Sequence, residues 1–539
     1  MVTVIVGGVA GGMSAATRLR RLDEAAHIIV LERGEHVSFA NCGLPYFAGG
    51  VIENREDLLL QTPESLKSRF NLDVRTRHEV VEIDPSSNTL KVKKISNGQF
   101  ESIQYDNLIL SLGAAPFIPP MEGHENLLTL RNVADVDVLV QKIHQAKKSD
   151  GKAIVVGAGF IGIEISENLT LQGLQVTLIE LAPQVMPPID KDMASYVTEE
   201  LRAHGVEVML SASVVSATKN SVTLSNGKIL DADLIFASIG VRPEISLAKA
   251  AGIEIGTRGG VVVNSAMKTS IENIYAVGDM VEKFDVLSGE PSLVALANLA
   301  NKQGRRAADA ICGIPQNEKT NTALATAVVK AFDRTIAMTG ASAKSLERQN
   351  REFTSIHTHP NDHAGYFPGA EQMHLVMHID PITGEIFGAQ GVGGHDVARR
   401  IDVLATAISG GLSAVDLIDL ELAYAPQYGS AKDPVNMLGY IADGIINNKD
   451  LVVTPHDLDD QILVDVRTRE EFEEGSIPGA INIDIDDLRQ QHFELDKNKH
   501  IVVFCQVGQR GHSASRLLTQ LGYSVSNLDG GYLTWKALQ

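Results

Sequence analysis

The chain has 539 residues, which at about 100–200 residues per domain implies several domains, and its 44% hydrophobic and 21% charged residues with 47 Gly and 19 Pro exclude a disordered or collagen-like polymer. With 47 Lys+Arg against 67 Asp+Glu the formal charge is -20, which opposes nucleic acid or an anionic membrane as main partner, so an anionic ligand must meet a local positive pocket. Three cysteines, Cys42, Cys312 and Cys505, are too few and too widely spaced for a disulfide framework or a zinc ribbon, which fits a reducing compartment.

The N-terminus enters an apolar strand at once, without a basic leader, and no apolar run reaches about 18 residues, so a cytoplasmic protein without membrane insertion is expected. Val2–Glu32 runs strand, glycine-rich turn, helix, strand. The turn Gly7-Gly8-Val9-Ala10-Gly11-Gly12 has Val9 where a second spaced glycine would stand, and the closing strand ends in Glu32. Ala153–Glu180 repeats the plan in full, as Gly157-Ala-Gly159-Phe160-Ile161-Gly162 followed by a helix beginning Ile163-Glu164. In this second copy Gly157 permits a tight turn, Gly159 lets a pyrophosphate approach the backbone, and Gly162 allows the helix to pack closely on the strand. Glu180 is placed to bind a ribose 2′-hydroxyl, and no Arg follows it closely to receive a 2′-phosphate, which favours NADH. Two dinucleotide folds in one chain are most economically filled by FAD in the first and NAD(H) in the second.

Between and after these units lie β-rich stretches, Thr89–Ile95 and Ser221–Leu230, with hairpin signals at Asn97-Gly98 and Asn226-Gly227. A third pattern follows, with alternating strands at His374–His378 and Glu385–Val392 before a helix over Asp396–Gly410. The stretch Ile441–Asp457 reads as a connector, and a compact α/β pattern restarts at Ile462.

The segments Tyr105–Gly113 and Thr269–Asp279 resemble the two secondary fingerprints of flavoproteins, which implies Gly113, Gly278 and Asp279 at the flavin, with Asp279 on its ribityl chain. Together the first 440 or so residues resemble the FAD-dependent pyridine nucleotide–disulfide oxidoreductases. That resemblance implies an α/β chain: two Rossmann-like FAD/NAD(P)-binding domains, residues 1–115 with 241–320 for FAD and 116–240 for NAD(H), then an α+β dimerisation domain over 321–440. It adds Arg33, Asn41 and Gly240 to the cofactor contacts already named at Gly7, Gly8, Ala10, Gly11, Gly12, Glu32, Gly157, Gly159, Phe160, Ile161, Gly162, Glu164 and Glu180.

Most disulfide reductases of that superfamily carry a C-x4-C pair, whereas Ser38-Phe-Ala-Asn-Cys42-Gly-Leu-Pro-Tyr46 holds one cysteine. The pattern is similar to the branch with coenzyme A–disulfide reductase, NADH oxidase and NADH peroxidase, implying a single redox Cys42 that attacks a substrate sulfur as thiolate. A helix beginning at Gly43–Ala48 is expected to lower its pKa. Peroxidases of the branch place a His in the first glycine loop where this chain has Ala10. Cys312 is expected to be a packing residue.

Asn361–Gly369 and Ala423–Asn436 resemble the segments from which coenzyme A–disulfide reductases offer two tyrosines across a homodimer, implying Tyr366 and Tyr424, with Tyr428 as the alternative to Tyr424. Coenzyme A phosphates would need Arg18, Arg21, Lys302 and Arg305, with Ser38 and Asn41 at the sulfur end. His357, His359 and His363 invite a metal reading, but nothing in the pattern fixes them at ligand geometry, and no metal is expected.

From Ile462 onward, Leu463–Ala480, Val502–Ala514 and Gly530–Trp535 resemble a rhodanese domain, placed over residues 458–539 after a linker at 441–457. Cys505 opens a loop to Arg510 whose backbone N–H groups would ring a thiolate or persulfide, with Arg510 adding charge. The order of the two parts resembles the NADH-dependent persulfide reductases. It implies small sulfur substrates (coenzyme A persulfide, polysulfide or coenzyme A disulfide), with FAD, NADH and coenzyme A as cofactors.

Overall fold

Five strands, in the order Ile274–Ala276, Asn107–Leu110, Val2–Val6, His27–Leu31 and Asp73–Arg75, pair in parallel into the first sheet. They are almost continuously apolar because both faces are covered, and Val4, Ile5, Ile28 and Leu108 have no exposure at all. Each such side chain contributes about 1.5–3 kcal/mol through burial. Helix Ala10–Leu22 lies against helix Ala297–Ile311 so tightly that a Cβ on Gly304 would meet the Gly11 carbonyl oxygen at 2.1 Å.

The computed structural model describes residues 1–315, 321–447 and 449–539, so the boundary expected at 320 and Asn448 in the expected linker lie outside the described residues. The chain divides into two units, Met1–Leu181 with Gly205–Ala325, and Ala182–His204 with Thr326–Gln539. In the first unit a second parallel sheet orders Glu207–Met209, Gln175–Ile179, Lys152–Val156 and Leu234–Ala237. Both Asn-Gly signals form the hairpins they predict, with Gly98 and Gly227 at φ of +72° and +84°. Antiparallel Ala114–Pro116 and Val241–Pro243 link the two nucleotide folds, each entered through a glycine with positive φ, Gly113 and Gly240.

The second unit holds an antiparallel sheet ordered Ala327–Ala331, Arg334–Gly340, Ile386–Gly393, His374–Ile379 and Thr354–Thr358, with helices Val397–Gly410 and Pro434–Ile446. It also holds a five-stranded parallel sheet ordered Val452–Val453, Val525–Leu528, Ile501–Phe504, Ile462–Asp465 and Ile481–Asn482. The linker expected over 441–457 is therefore corrected. Leu438 and Ala442, fully buried and one turn apart, carry helix Pro434–Ile446 past residue 440, and Val452–Val453 becomes an edge strand beside Val525–Leu528. The helix Pro434–Ile446 is 13 residues, and among the described residues no helix is long and apolar enough to cross a membrane.

Candidate active site

Cys42 lies in a 3-10 turn, Asn41–Gly43, that runs into helix Leu44–Ala48. The turn is tied to the first glycine loop, since the Ser38 N–H donates to the Gly8 carbonyl at 2.7 Å, with Ser38 in the left-handed region at φ +47°. The helix packs on Phe160–Leu171 through Gly49, where a Cβ would meet Asn168 Oδ1 at 1.8 Å. That packing brings the Tyr46 hydroxyl to Glu164 Oε1 at 3.1 Å and sets Glu164 within electrostatic reach of the thiol.

The expected depression of the Cys42 pKa is overturned. Burial raises it first, and the charges of Glu164 and Asp279 raise it further. Cys42 still presents exposed surface, so a substrate sulfur can reach it. Glu164 is itself raised by burial, with the Tyr46 bond opposing, and Tyr46 is pushed well above the usual phenol range by burial and Glu164.

In the first glycine loop, the Glu32 carboxylate accepts from the Gly8 N–H at 2.9 Å and the Gly34 N–H at 2.7 Å, which fixes the acid at the end of its strand. Glu180 does the same in the second fold, accepting from the Ala158 N–H at 2.7 Å. Gly157 takes a φ of +98°, a Cβ on Gly162 would meet the Gly157 carbonyl oxygen at 1.9 Å, and at Gly159 a Cβ would meet nothing within 4 Å. Phe160 and Ile161 open the helix, Ile161 being 38% exposed.

The residues present fit FAD. Asp279 Oδ1 is buried without a hydrogen-bond partner and the carboxyl is raised by burial, as for an acid awaiting a ribityl hydroxyl. Beside it Lys283, 2% exposed, donates from Nζ to the Gly278 and Val281 carbonyls at 2.9 and 3.0 Å, and burial brings its amine down to about 8.

The coenzyme A candidates are brought together only in part. Arg18 and Arg305 converge on Asp309, at 2.6 and 3.7 Å, so some of their charge is already matched. Arg21, Arg33 and Lys302 are exposed, and Cys312 packs partly buried against the first core.

In the second unit the structure joins Tyr366 to Tyr424, hydroxyl to hydroxyl at 3.3 Å, while Tyr428 is 59% exposed. The bond to Tyr424 and lesser burial raise the Tyr366 pKa. His357, His359 and His363 do not converge on one point. His357 lies between Asp529 and Asp192, His359 bonds His374 and Thr534 at 2.8 Å each, and His363 sits on Asp362 at 2.8 Å.

In the rhodanese-like part, Cys505 ends strand Ile501–Phe504 with 1% exposure, and its carbonyl accepts from the Tyr532 N–H at 2.8 Å. Gly508, at φ +88°, turns the chain into helix Gln509–Gln520. Arg510 reaches this loop but shares its charge with Glu471 through two bonds of 2.7 and 2.6 Å, which hold Glu471 down to about 2. The loop is braced by Arg467, 3% exposed, which donates to Gln506 Oε1 at 2.9 Å and pairs with the fully buried Asp465. Ser476 donates to Asp465 Oδ2 at 2.7 Å, which helps hold that buried carboxylate.

The sequence pattern described as "Pyridine nucleotide-disulphide oxidoreductase" matches residues 1–304, more than half of the chain. The chain belongs to this family. The family's dimerisation domain matches residues 326–434, and a rhodanese-like domain matches 449–538. It is 36% identical over 442 residues to a "Coenzyme A disulfide reductase" of Staphylococcus haemolyticus, spanning 81% of this chain and 98% of the relative. A protein named "NADH oxidase" from Methanocaldococcus jannaschii is 34% identical over 83% of this chain and its own full length. Among solved structures, reduced Bacillus anthracis CoADR-RHD superposes with a TM-score of 0.97 at 44% identity, covering 100% of this chain and 98% of that one. A NAD-dependent persulfide reductase from A. fulgidus does so with 0.93 at 35%, covering 99% and 100%.

As a member of this flavoprotein family the chain is an NAD(H)- and FAD-dependent oxidoreductase. Sequence reasoning named Glu164 only as a cofactor contact, and it missed the pairing of Tyr46 with Glu164 beside Cys42, Lys283 beside Asp279, and the buried Arg400 of the dimerisation domain. No local motif marks that pairing, Lys283 or Arg400; each acquires its role from a partner remote in sequence or from burial.

Proposed function

We propose that this enzyme reduces coenzyme A persulfide, polysulfide and coenzyme A disulfide with NADH, through Cys42 alone, and that Cys505 collects sulfane sulfur and relays it. The observation that carries the reading is the pairing of one accessible redox-type cysteine, with no second cysteine before Cys312, and a rhodanese loop built around Cys505. Cys42 as thiolate attacks the coenzyme A sulfur of a persulfide, forming a mixed disulfide and expelling hydrosulfide. Bound FAD supplies the two-electron path from NADH that cleaves this mixed disulfide to two thiols. Gly157–Glu180 orients NADH, and Asp279 orients the flavin side chain.

Tyr366 and Tyr424, offered across a homodimer, hydrogen-bond the departing coenzyme A thiolate, where charge develops. Arg18, Arg21, Lys302 and Arg305 are assigned to its phosphates. The loop from Cys505 to Arg510 steadies a persulfide with backbone N–H groups, and tethering raises the local donor concentration to roughly the mM range if the sites can be spanned. The relative named for coenzyme A disulfide favours a second reading, thiol homeostasis with Cys505 as a separate sulfurtransferase.

The test is anaerobic NADH oxidation by wild type, Cys42→Ser and Cys505→Ser on each of the three substrates, with hydrosulfide recorded. Fast sulfane turnover with hydrosulfide release, lost in Cys42→Ser and diminished in Cys505→Ser, is expected. Preference for coenzyme A disulfide without hydrosulfide selects the second reading, and turnover that needs oxygen selects an oxidase.

A further inference from the structure

We propose that Arg400 is a positioning residue: one buried guanidinium locks the Tyr366 loop to the Tyr424 loop and thereby sets the rate of the thiol-releasing half-reaction. The inference rests on the role given to those tyrosines above. Arg400 lies on helix Val397–Gly410 and is 1% exposed, although a buried cation is costly unless its donors are matched. Its Nη2 donates at 3.0 Å both to the Asp362 carbonyl and to Asp433 Oδ2, while Nη1 lies 3.5 Å from Asp396 Oδ2.

These two acceptors belong to different loops. Asp362 begins the first: its Oδ1 accepts from the His363 N–H at 2.8 Å and the Glu371 N–H at 3.0 Å, which closes the loop that carries Tyr366. Asp433 ends the second, capping helix Pro434–Ile446 through the Val435 N–H at 3.0 Å, just after Tyr424 and Tyr428. Gly429 of that loop lies over the arginines, where a Cβ would stand 3.4 Å from Nη2 of both Arg399 and Arg400. The loops touch once more where the Ala364 N–H donates to the Pro426 carbonyl at 3.2 Å.

At their tips Tyr366 is 77% exposed and Tyr424 49% exposed, so the tips have little packing of their own to hold the 3.3 Å hydroxyl pair. The alignment is imposed from the buried base. A guanidinium suits this because its planar fork bonds a carbonyl and a carboxylate at once, which a Lys ammonium on a flexible stem reproduces poorly.

The experiment uses the full-length, FAD-loaded enzyme. Arg400→Lys keeps the charge, and Asp433→Asn keeps a good helix cap while removing the ion pair, so neither depends on a drastic core change. Stopped-flow spectra read flavin reduction by NADH, then reoxidation by coenzyme A disulfide, in these variants, in Tyr366→Phe, in Tyr424→Phe and in Tyr366→Phe/Arg400→Lys. Reoxidation slowed about ten- to hundredfold in Arg400→Lys and Asp433→Asn is expected, with flavin reduction unchanged, as for a misplaced catalytic group. Adding Arg400→Lys to Tyr366→Phe is expected to slow reoxidation far less than it does in wild type.

Equal slowing in both backgrounds overturns the clamp and makes Arg400 a stabilising residue only. So does unchanged reoxidation in the two clamp variants while Tyr366→Phe is slow. Unchanged reoxidation in Tyr366→Phe and Tyr424→Phe overturns the tyrosine reading itself, and the clamp with it.

Discussion

Replacing His357 by Gln tests the buried charge that joins the rhodanese-like sheet to the rest of its unit. The imidazole sits between Asp192, 2.8 Å from Nε2, and Asp529, bonded at Nδ1, with side-chain exposures of 11%, 6% and 3%. Burial works against its charge, yet Asp529 and Asp192 together hold its pKa well above 6.5. The neighbouring histidines are pushed the other way: burial and other histidines hold His359 well below 6.5, and burial brings His374 down to about 4.

Removing one partner from such a buried cluster costs about 3–5 kcal/mol. The pKa is raised on folding, so the charged-state stabilisation is complete below the unfolded value and is lost as pH rises toward the folded one, at about 1.4 kcal/mol per pH unit. As pH rises above about 6.5 the difference between wild type and His357→Gln is therefore expected to shrink, by at most about 1.4 kcal/mol for each pH unit below the folded value. Urea unfolding at several pH values, followed through Trp535, the chain's one tryptophan, in helix Gly531–Ala537, measures it. A difference below about 1 kcal/mol, or one flat across that range, refutes the reasoning.

Arg467→Met, which strands Asp465 at zero exposure, is expected to cost about 3–5 kcal/mol and to abolish sulfur transfer from Cys505, while NADH-linked reduction of coenzyme A disulfide persists; sulfurtransferase assay and unfolding check it. Because Glu164 raises the Cys42 pKa, second to burial, Glu164→Gln is expected to move the pH profile of iodoacetamide alkylation to lower pH, and an unmoved profile removes Glu164 from the site. Glu180→Ala is expected to raise the KM for NADH about tenfold at little change in kcat, as loss of uniform binding does.

Much of this molecule is written in short segments. The glycine loops, the acids at Glu32 and Glu180, both Asn-Gly hairpins and the Cys505 loop are contiguous patterns whose geometry follows from backbone requirements, and the structure forms each of them. What escaped depends on contacts remote in sequence. Glu164 reaches Cys42 because Gly49 lets two helices touch across more than a hundred residues, and Arg400 reaches Asp362 and Asp433 only after the sheet and helices are assembled. The Cys42 pKa went the other way for the same reason: a local helix dipole was visible in the sequence, whereas the acids and the burial that overcome it were not. The linker misreading has a different source, a buried helix face and a two-residue edge strand inside a stretch that reads as a connector.

The two cysteines proposed to react are held in opposite ways, and the chemistry proposed for each accounts for the difference. Cys42, proposed to admit a bulky sulfur compound, keeps exposed surface, and partial burial and then the nearby acids raise its pKa. Cys505, proposed to carry a labile sulfane sulfur, sits at 1% exposure beneath a loop braced by Arg467 and Tyr532, which would shield that sulfur from adventitious thiols. Arg510, which by itself would draw any anion to that loop, is matched by Glu471 in a two-bond pair.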